Sequence, residues 1–304
     1  MSRAAAFLEP GGPEVLRLMD VPQPQAQPGQ VRVRVKAAGV QPFDVAVVAG
    51  IIHKSADPSV PQIPGNEFAG VVDQVGAGVE GFAPGDEVLG YGTLNSYAEY
   101  IVVGPDQLTA KPAAMPWTVA GGFSAAAQTA DIGLKEIKAG AGDTVLIHGV
   151  AGAVGTIGVQ LCRLWGATVI GGAREAQHEY VRSLGATPFA YGEGFVGRLR
   201  ELAPQGVDAC MDGIGGEALD AALELVPDRN RVLTLVDHGR AAELGIRTTP
   251  LARSAERLAT LAQLYAQGDL HLPILATFPL DRAADAQRAY QAGNIRGKIV
   301  ITID

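Results

Sequence analysis

The segment His148-Gly149-Val150-Ala151-Gly152-Ala153-Val154-Gly155 sets three glycines at intervals of three. A short apolar run at 145–147 leads into it, and residues 153–165 continue with helical character. Between a strand and a helix each glycine has a physical task. Gly149 permits a tight turn, Gly152 lets backbone N–H groups approach a pyrophosphate, and Gly155 allows the helix to lie close on the strand. The helix start, at Ala153 and Val154, adds partial positive charge and unbonded N–H donors. The chemistry predicted is the binding of an anionic dinucleotide.

The end of the following strand discriminates between dinucleotides. A carboxylate there would accept from a ribose 2′-hydroxyl, but this chain has Gly171-Gly172-Ala173-Arg174. The small residues predict room for a 2′-phosphate, and Arg174 offers it a fork of donors. Gln177, and Tyr191 at the end of the next strand, complete the expected contacts. NADPH is therefore expected in preference to NADH.

A glycine loop of this kind needs a parallel sheet to present it. Apolar strands at 145–147, 168–170, 188–191, 207–211 and 231–236 alternate with helices at 153–165, 175–184, 195–203 and 217–226. Alternation at this spacing implies right-handed crossovers and a doubly wound sheet. A further helix covers 251–267. Earlier in the chain, residues 31–37 alternate apolar and charged with period two, the mark of a half-buried strand. Other strands are expected at 68–76, after the turn at 81–86, and at 98–103. Short strands between Gly/Pro turns predict a barrel-like β domain, to which a helix at 281–291 and a strand at 298–303 return. The predicted class is α/β: a β-barrel domain from 1–114 and 273–304, interrupted by a doubly wound parallel-sheet domain at 115–272.

Composition bounds the rest. A chain of 304 residues has length for two buried cores. With 47% hydrophobic and 18% charged residues it is not a disordered composition. Its net charge of −8 argues against nucleic-acid and membrane-surface partners. Cys162 and Cys210 are the two cysteines, too few for a disulfide framework, and both are expected in the core. The start holds no apolar run of leader length. The uncharged stretches 112–130 and 144–162 are interrupted by proline or glycine, so neither is expected to span a membrane. A cytoplasmic protein is the expectation.

Further motifs run almost end to end. They include Gly11-Gly12-Pro13-Glu14-Val15-Leu16, Pro64-Gly65-Asn66-Glu67-Phe68-Ala69-Gly70 and Pro84-Gly85-Asp86-Glu87-Val88. Gly142-Asp143-Thr144-Val145-Leu146-Ile147 and Arg296-Gly297-Lys298-Ile299-Val300 continue the set. With them the chain resembles the medium-chain dehydrogenase/reductase superfamily, in its zinc-independent quinone oxidoreductase branch. The resemblance implies a GroES-like β-barrel domain plus a Rossmann domain, bound NADPH, and commonly a homodimer. It also implies hydride transfer to a quinone or an α,β-unsaturated carbonyl, with hydrogen-bond donors stabilising the resulting oxyanion.

Zinc-dependent relatives carry a Cys after the 31–37 strand and a His before the Glu of the Gly-x-Glu motif. Here residues 39–44 include no Cys, and Asn66 takes the place of the His. The histidines at 53, 148, 178, 238 and 271 lack ligand spacing, and His148 is expected to pack at a strand end. No metal is expected. Matched residue by residue, the resemblance places Gln41 near the nicotinamide, where many relatives have the Asn of Asn-Pro-x-x-Asp. It places Gln41, Phe43 and Asn66 in the substrate pocket, and Ser124 and Lys298 against the cofactor. Asp44 reads equally well as a helix cap. Where some relatives carry a Tyr acid after the glycine equivalent to Gly50, this chain has Ile51 and Ile52, which leaves Tyr91 as the candidate catalytic hydroxyl. Two other functions stay open: an enoyl-thioester or polyketide-intermediate reductase, and a non-catalytic NADPH-binding regulator.

Overall fold

The computed structural model describes residues 1–304 apart from 53–56, 58 and 294, so His53 lies outside the described residues. The chain opens with β1 (Ser2–Ala6), β2 (Arg17–Val21), β3 (Val31–Gly39), α1 (Pro42–Val48), β4 (Glu67–Val75), β5 (Glu87–Tyr91), β6 (Tyr100–Val103) and β7 (Leu108–Ala110). A long helix, α2 (Trp117–Glu136), precedes a regular alternation. This comprises β8 (Thr144–His148), α3 (Ala153–Leu164), β9 (Thr168–Gly172), α4 (His178–Leu184), β10 (Thr187–Phe189), α5 (Phe195–Leu202), β11 (Ala209–Asp212), α6 (Gly216–Leu225), β12 (Val232–Thr234), α7 (His238–Leu244) and β13 (Arg247–Thr248). The chain ends with α8 (Ala255–Ala266), β14 (Ile274–Pro279), α9 (Ala283–Gln291) and β15 (Lys298–Thr302).

Two compact units result. The first comprises Met1–Ala125, Ser254–Ala266 and Pro273–Asp304. Its main sheet runs β14-β15-β3-β4-β5-β7, with β6 also paired to β3. The period-two pattern of β3 is visible in its burial: Val31, Val33 and Val35 face the core while Arg34 is exposed. Phe68, Tyr97, Ile101, Ile299 and Ile301 join those valines in one cluster.

The second unit comprises Ala126–Arg253 and Gln267–Leu272. Its six strands are parallel, in the order β10-β9-β8-β11-β12-β13. The chain winds outward from β8 on both sides, so the order reverses beside β8. That is the place where open α/β sheets bind nucleotides, at the carboxyl ends of the strands. Both cysteines are buried and unbridged, as expected of core thiols.

Several elements carried no clear sequence signal. β1 is Ser-Arg-Ala-Ala-Ala, whose alanines have little strand preference. The N-terminal part of α2 includes Gly121 and Gly122, which weaken a helix read from propensity alone. Residues 117–125 and 254–266 pack with the first unit, whereas the rhythm of the sequence groups them with the second. The reason is local: a Cβ on Gly121 would lie 2.6 Å from the Ala37 backbone, and Phe123 meets Tyr265 edge-on at 5.8 Å. Among the described residues no helix is long and apolar enough to cross a membrane.

Gln160, buried on α3, fastens the segment that closes the second unit. Its Oε1 accepts from the His271 N–H at 2.7 Å, and its Nε2 donates to the His271 carbonyl at 2.9 Å. Gln160→Ala leaves both backbone groups without that partner and should lower stability by about 1–3 kcal/mol. Chemical denaturation checks this; an unchanged midpoint contradicts it.

Candidate active site

β8 ends at His148, and Gly149 turns the chain at φ +75°, in the left-handed region that favours glycine. Gly152 caps α3 with extended backbone, φ −72° and ψ 173°. The Thr156 N–H bonds the Gly152 carbonyl at 2.8 Å, so the N–H groups of Ala153, Val154 and Gly155 precede the helical ladder. Gly152, Ala153 and Val154 are half-buried. A Cβ on Gly155 would lie 2.6 Å from the Gly149 carbonyl oxygen and the Val150 Cα. The helix can approach the bend only without it. A Cβ on Gly152 would meet only the Gly149 oxygen, at 3.4 Å, so the protein does not fill that space. An open approach, unbonded donors and the positive end of a helix are what an anionic pyrophosphate requires.

Strand register places Phe189, Gly172, His148, Asp212 and Thr234 side by side at the carboxyl edge of the sheet. Asp212 is fully buried, and its carboxylate accepts from the N–H groups of Ile214 and Gly215, each at 3.0 Å, and from the Thr234 hydroxyl at 2.8 Å. The Thr234 hydroxyl oxygen accepts in turn from the Asp237 N–H at 3.0 Å. One carboxylate thus holds the loops after β11 and β12. Exposed Ile214 flanks Gly149, and exposed Val236 flanks Gly215. His148 is buried, with Nδ1 3.0 Å from the Tyr191 hydroxyl, which also accepts from the Gly149 N–H at 3.2 Å. Burial pushes the imidazole down to about 4 against the pull of Asp212. His148 is therefore neutral at neutral pH.

The first unit has a buried polar cluster of its own. Glu67 and Lys298 form an ion pair at 2.7 Å, and the second Glu67 oxygen accepts from the Ala125 N–H at 2.7 Å. A Cβ on Gly39 would press on the Glu67 carboxylate, and one on Gly122 would lie 2.7 Å from the Lys298 stem. Asp44 accepts from the Gln41 N–H and from the Tyr97 hydroxyl, both at 3.0 Å, and so caps α1. Gln41 Nε2 donates to Asn66 Oδ1. Two carboxyl groups here face one ammonium. Burial pushes Asp44 up to about 7, against the attraction of Lys298 and the Tyr97 hydrogen bond.

Residues 27–127 match the family described as alcohol dehydrogenase GroES-like domain, and 179–301 match the one described as zinc-binding dehydrogenase. The quinone oxidoreductase of Mus musculus is 28% identical over 327 residues, covering 100% of this chain and 98% of its own. The solved structure of mycobacterial Rv1454c complexed with NADPH aligns with a TM-score of 0.87 at 28% identity, covering 99% of each chain. The chain belongs to the medium-chain dehydrogenase/reductase superfamily, in its quinone oxidoreductase-like branch. The spectinabilin polyketide synthase system protein NorB of Streptomyces orinoci is also similar, 35% identical over 321 residues. That match takes in 96% of this chain, which spans only 14% of the length of NorB.

Within this superfamily fold the expected residues form two groups. Gly149, Gly152, Ala153, Val154 and Gly155 make the bend of the second unit. Arg174 is exposed after β9, and among the described residues its guanidinium makes no ion pair; Gln177 is half-buried nearby. The side-chain space at the glycines before Arg174 is taken by the protein itself. Val150 methyl groups lie 2.7 Å from a Cβ at Gly171, and the Tyr191 hydroxyl fills the corresponding place at Gly172. These glycines admit the protein's own side chains, which corrects the sequence reading. Tyr191 is tied to the bend itself.

In the first unit Gln41 and Asn66 are joined, Phe43 is half-buried against the core, and Ser124 is buried on α2. Lys298, expected to touch the cofactor, gives its ammonium to Glu67. Tyr91 lies opposite Glu67 in register, its hydroxyl donating to the Asp106 carbonyl at a long 3.4 Å. Among the described residues no three His, Cys, Asp or Glu side chains gather as metal ligands. Sequence reasoning missed Asp212, Thr234, Ile214 and Val236. Its available signal was an acid closing the apolar strand Ala209-Cys210-Met211-Asp212, followed by Gly213-Ile214-Gly215-Gly216.

Gly152→Ala should cost the fold less than about 1 kcal/mol, because the added methyl meets no close neighbour, yet weaken dinucleotide binding at least about tenfold. Calorimetric titration beside denaturation separates the two effects; unchanged affinity contradicts the assignment. Asp44 yields a pH dependence. An Asp in the unfolded chain releases its proton near 4, whereas folding holds that of Asp44 to about 7. The folded state binds more protons in that window, so this group's contribution to stability falls as pH rises from about 4 to about 7. His148 acts oppositely between about 4 and its ordinary value of 6.5, where the unfolded chain binds more protons. Asp44→Asn should therefore gain stability relative to the original protein as pH rises from 5 to 8. Parallel stability profiles would contradict this.

Proposed function

We propose that this chain is an NADPH-dependent, zinc-independent reductase acting on quinones or α,β-unsaturated carbonyl compounds. The observation that carries the reading is the glycine bend before α3, with its open face at Gly152 and the unbonded N–H groups of Ala153 and Val154. These groups would hold the pyrophosphate, and Arg174 with Gln177 the 2′-phosphate. Ser124 and Gln41 would contact the nicotinamide end. When bound, NADPH supplies the hydride. Gln41, Phe43 and Asn66 receive the acceptor and orient it. A proton then comes from water or from Tyr91, whose hydroxyl donates to the Asp106 carbonyl at 3.4 Å.

Zinc independence in this reading rests on the donor set. Asn66 is an amide already hydrogen-bonded to Gln41, a poor ligand for a borderline-soft cation. The likeness to NorB supports a second reading, reduction of an enoyl thioester or polyketide intermediate by the same hydride geometry.

Rates of NADPH oxidation with quinones, small enones and acyl thioesters distinguish the readings, with a preference for quinones or enones expected. Arg174→Ala should raise the KM for NADPH by roughly ten- to a hundredfold, the loss of one charged hydrogen bond, while leaving that for NADH nearly unchanged. An unchanged KM for NADPH removes Arg174 from the site. Tight NADPH binding without turnover on any acceptor would favour a regulator.

A further inference from the structure

Gln41 and Asn66 are 9% and 6% exposed, on segments 25 residues apart, and their amides are joined side chain to side chain. The pair is built in rather than incidental. The Gln41 N–H is fixed by Asp44, and Asp44 is fixed by the hydroxyl of fully buried Tyr97. The Asn66 carbonyl accepts from the Gly92 N–H at 3.2 Å, which anchors the second partner to the end of β5. One hydrogen bond cannot satisfy two primary amides. Among the described residues the Asn66 Nδ2 amino group has no protein acceptor. Exchanging the amide nitrogen and oxygen of both residues would only move the spare amino group to Gln41. Either way a nine-tenths-buried side chain keeps an N–H donor that no protein acceptor takes and that solvent can reach.

We propose that this amide pair is the receptor for the acceptor's carbonyl oxygen, strengthening its hold as that oxygen gains charge. The inference rests on the reductase reading above. In that reaction the hydride's electron pair forms a new C–H bond at the β-carbon while the cofactor's C–H bond breaks. The alkene pair moves to give an enolate, with its charge on the carbonyl oxygen. A proton from water then completes the saturated product. N–H donors preorganised at the developing oxyanion lower the barrier more than they aid ground-state binding. Asp44 is a positioning residue in this scheme, acting only through Gln41.

The test uses the full chain with NADPH and a simple enone. Asn66→Leu and Gln41→Leu each break the pair, and each should lower kcat by about 100- to 1,000-fold. For Asn66→Leu the Kd for NADPH and the thermal midpoint should stay close to those of the unmodified protein; Gln41, placed at the nicotinamide end above, is judged by kcat alone. Asn66→Asp, which keeps the shape but presents an acceptor, should lose at least as much; this variant decides the matter should a leucine variant fail to fold. A purely structural role would instead change the NADPH Kd or the midpoint with kcat retained. Variants with undiminished kcat in an otherwise active enzyme overturn the amide-pair proposal alone. An unmodified protein that reduces none of the acceptors overturns the reductase reading as well.

Discussion

The close approach of α3 to the strand before it governs the second unit, because one bend has to satisfy two demands. Gly149 must take a left-handed conformation to end β8 abruptly, and Gly155 must lack a side chain for the helix to lie against Gly149 and Val150. Once both conditions hold, the helix N-terminus lies at the carboxyl edge of the sheet with its first N–H groups unbonded. The neighbouring strands are adapted to the same bend. Val150 takes the space left by Gly171, and Tyr191 reaches over Gly172 to the Gly149 N–H. Asp212 braces the next two loops from within. The open surface at this bend is thus made by backbone, and buried side chains keep that backbone in place.

A charge imbalance organises the first unit in a comparable way. Glu67 and Asp44 share the neighbourhood of a single ammonium, Lys298. The ion pair goes to Glu67, which also accepts from Ala125, so Asp44 carries the cost of burial and keeps its proton more readily. That leaves Asp44 suited to a local task, capping α1 by accepting from the Gln41 N–H and the Tyr97 hydroxyl. Breaking either partner of the Glu67–Lys298 pair would leave an uncompensated buried charge, which is more damaging than never having had the pair.

What could be read in the sequence was what depends on neighbours along the chain. The alternation of β3, the strand–helix rhythm after residue 140 and the spacing of Gly149, Gly152 and Gly155 are local patterns, and the structure follows them. The glycine closing α4, Gly185 at φ +93°, was legible for the same reason. The Glu67–Lys298 pair joins residues far apart in sequence, and no periodicity announces it. The roles of Gly171 and Gly172 were misassigned because the atoms that need their space belong to Val150 and to Tyr191, which lie outside the local pattern. β14 was missed because its pairing partner, β15, lies beyond an intervening helix.

The central claim, that backbone at the three-glycine bend holds the pyrophosphate of NADPH, is tested most directly by amide hydrogen exchange with and without saturating cofactor. The account predicts slowed exchange at Ala153, Val154 and Gly155, whose N–H groups precede the helical ladder. Saturable NADPH binding that leaves these three amides exchanging at their cofactor-free rates would contradict it.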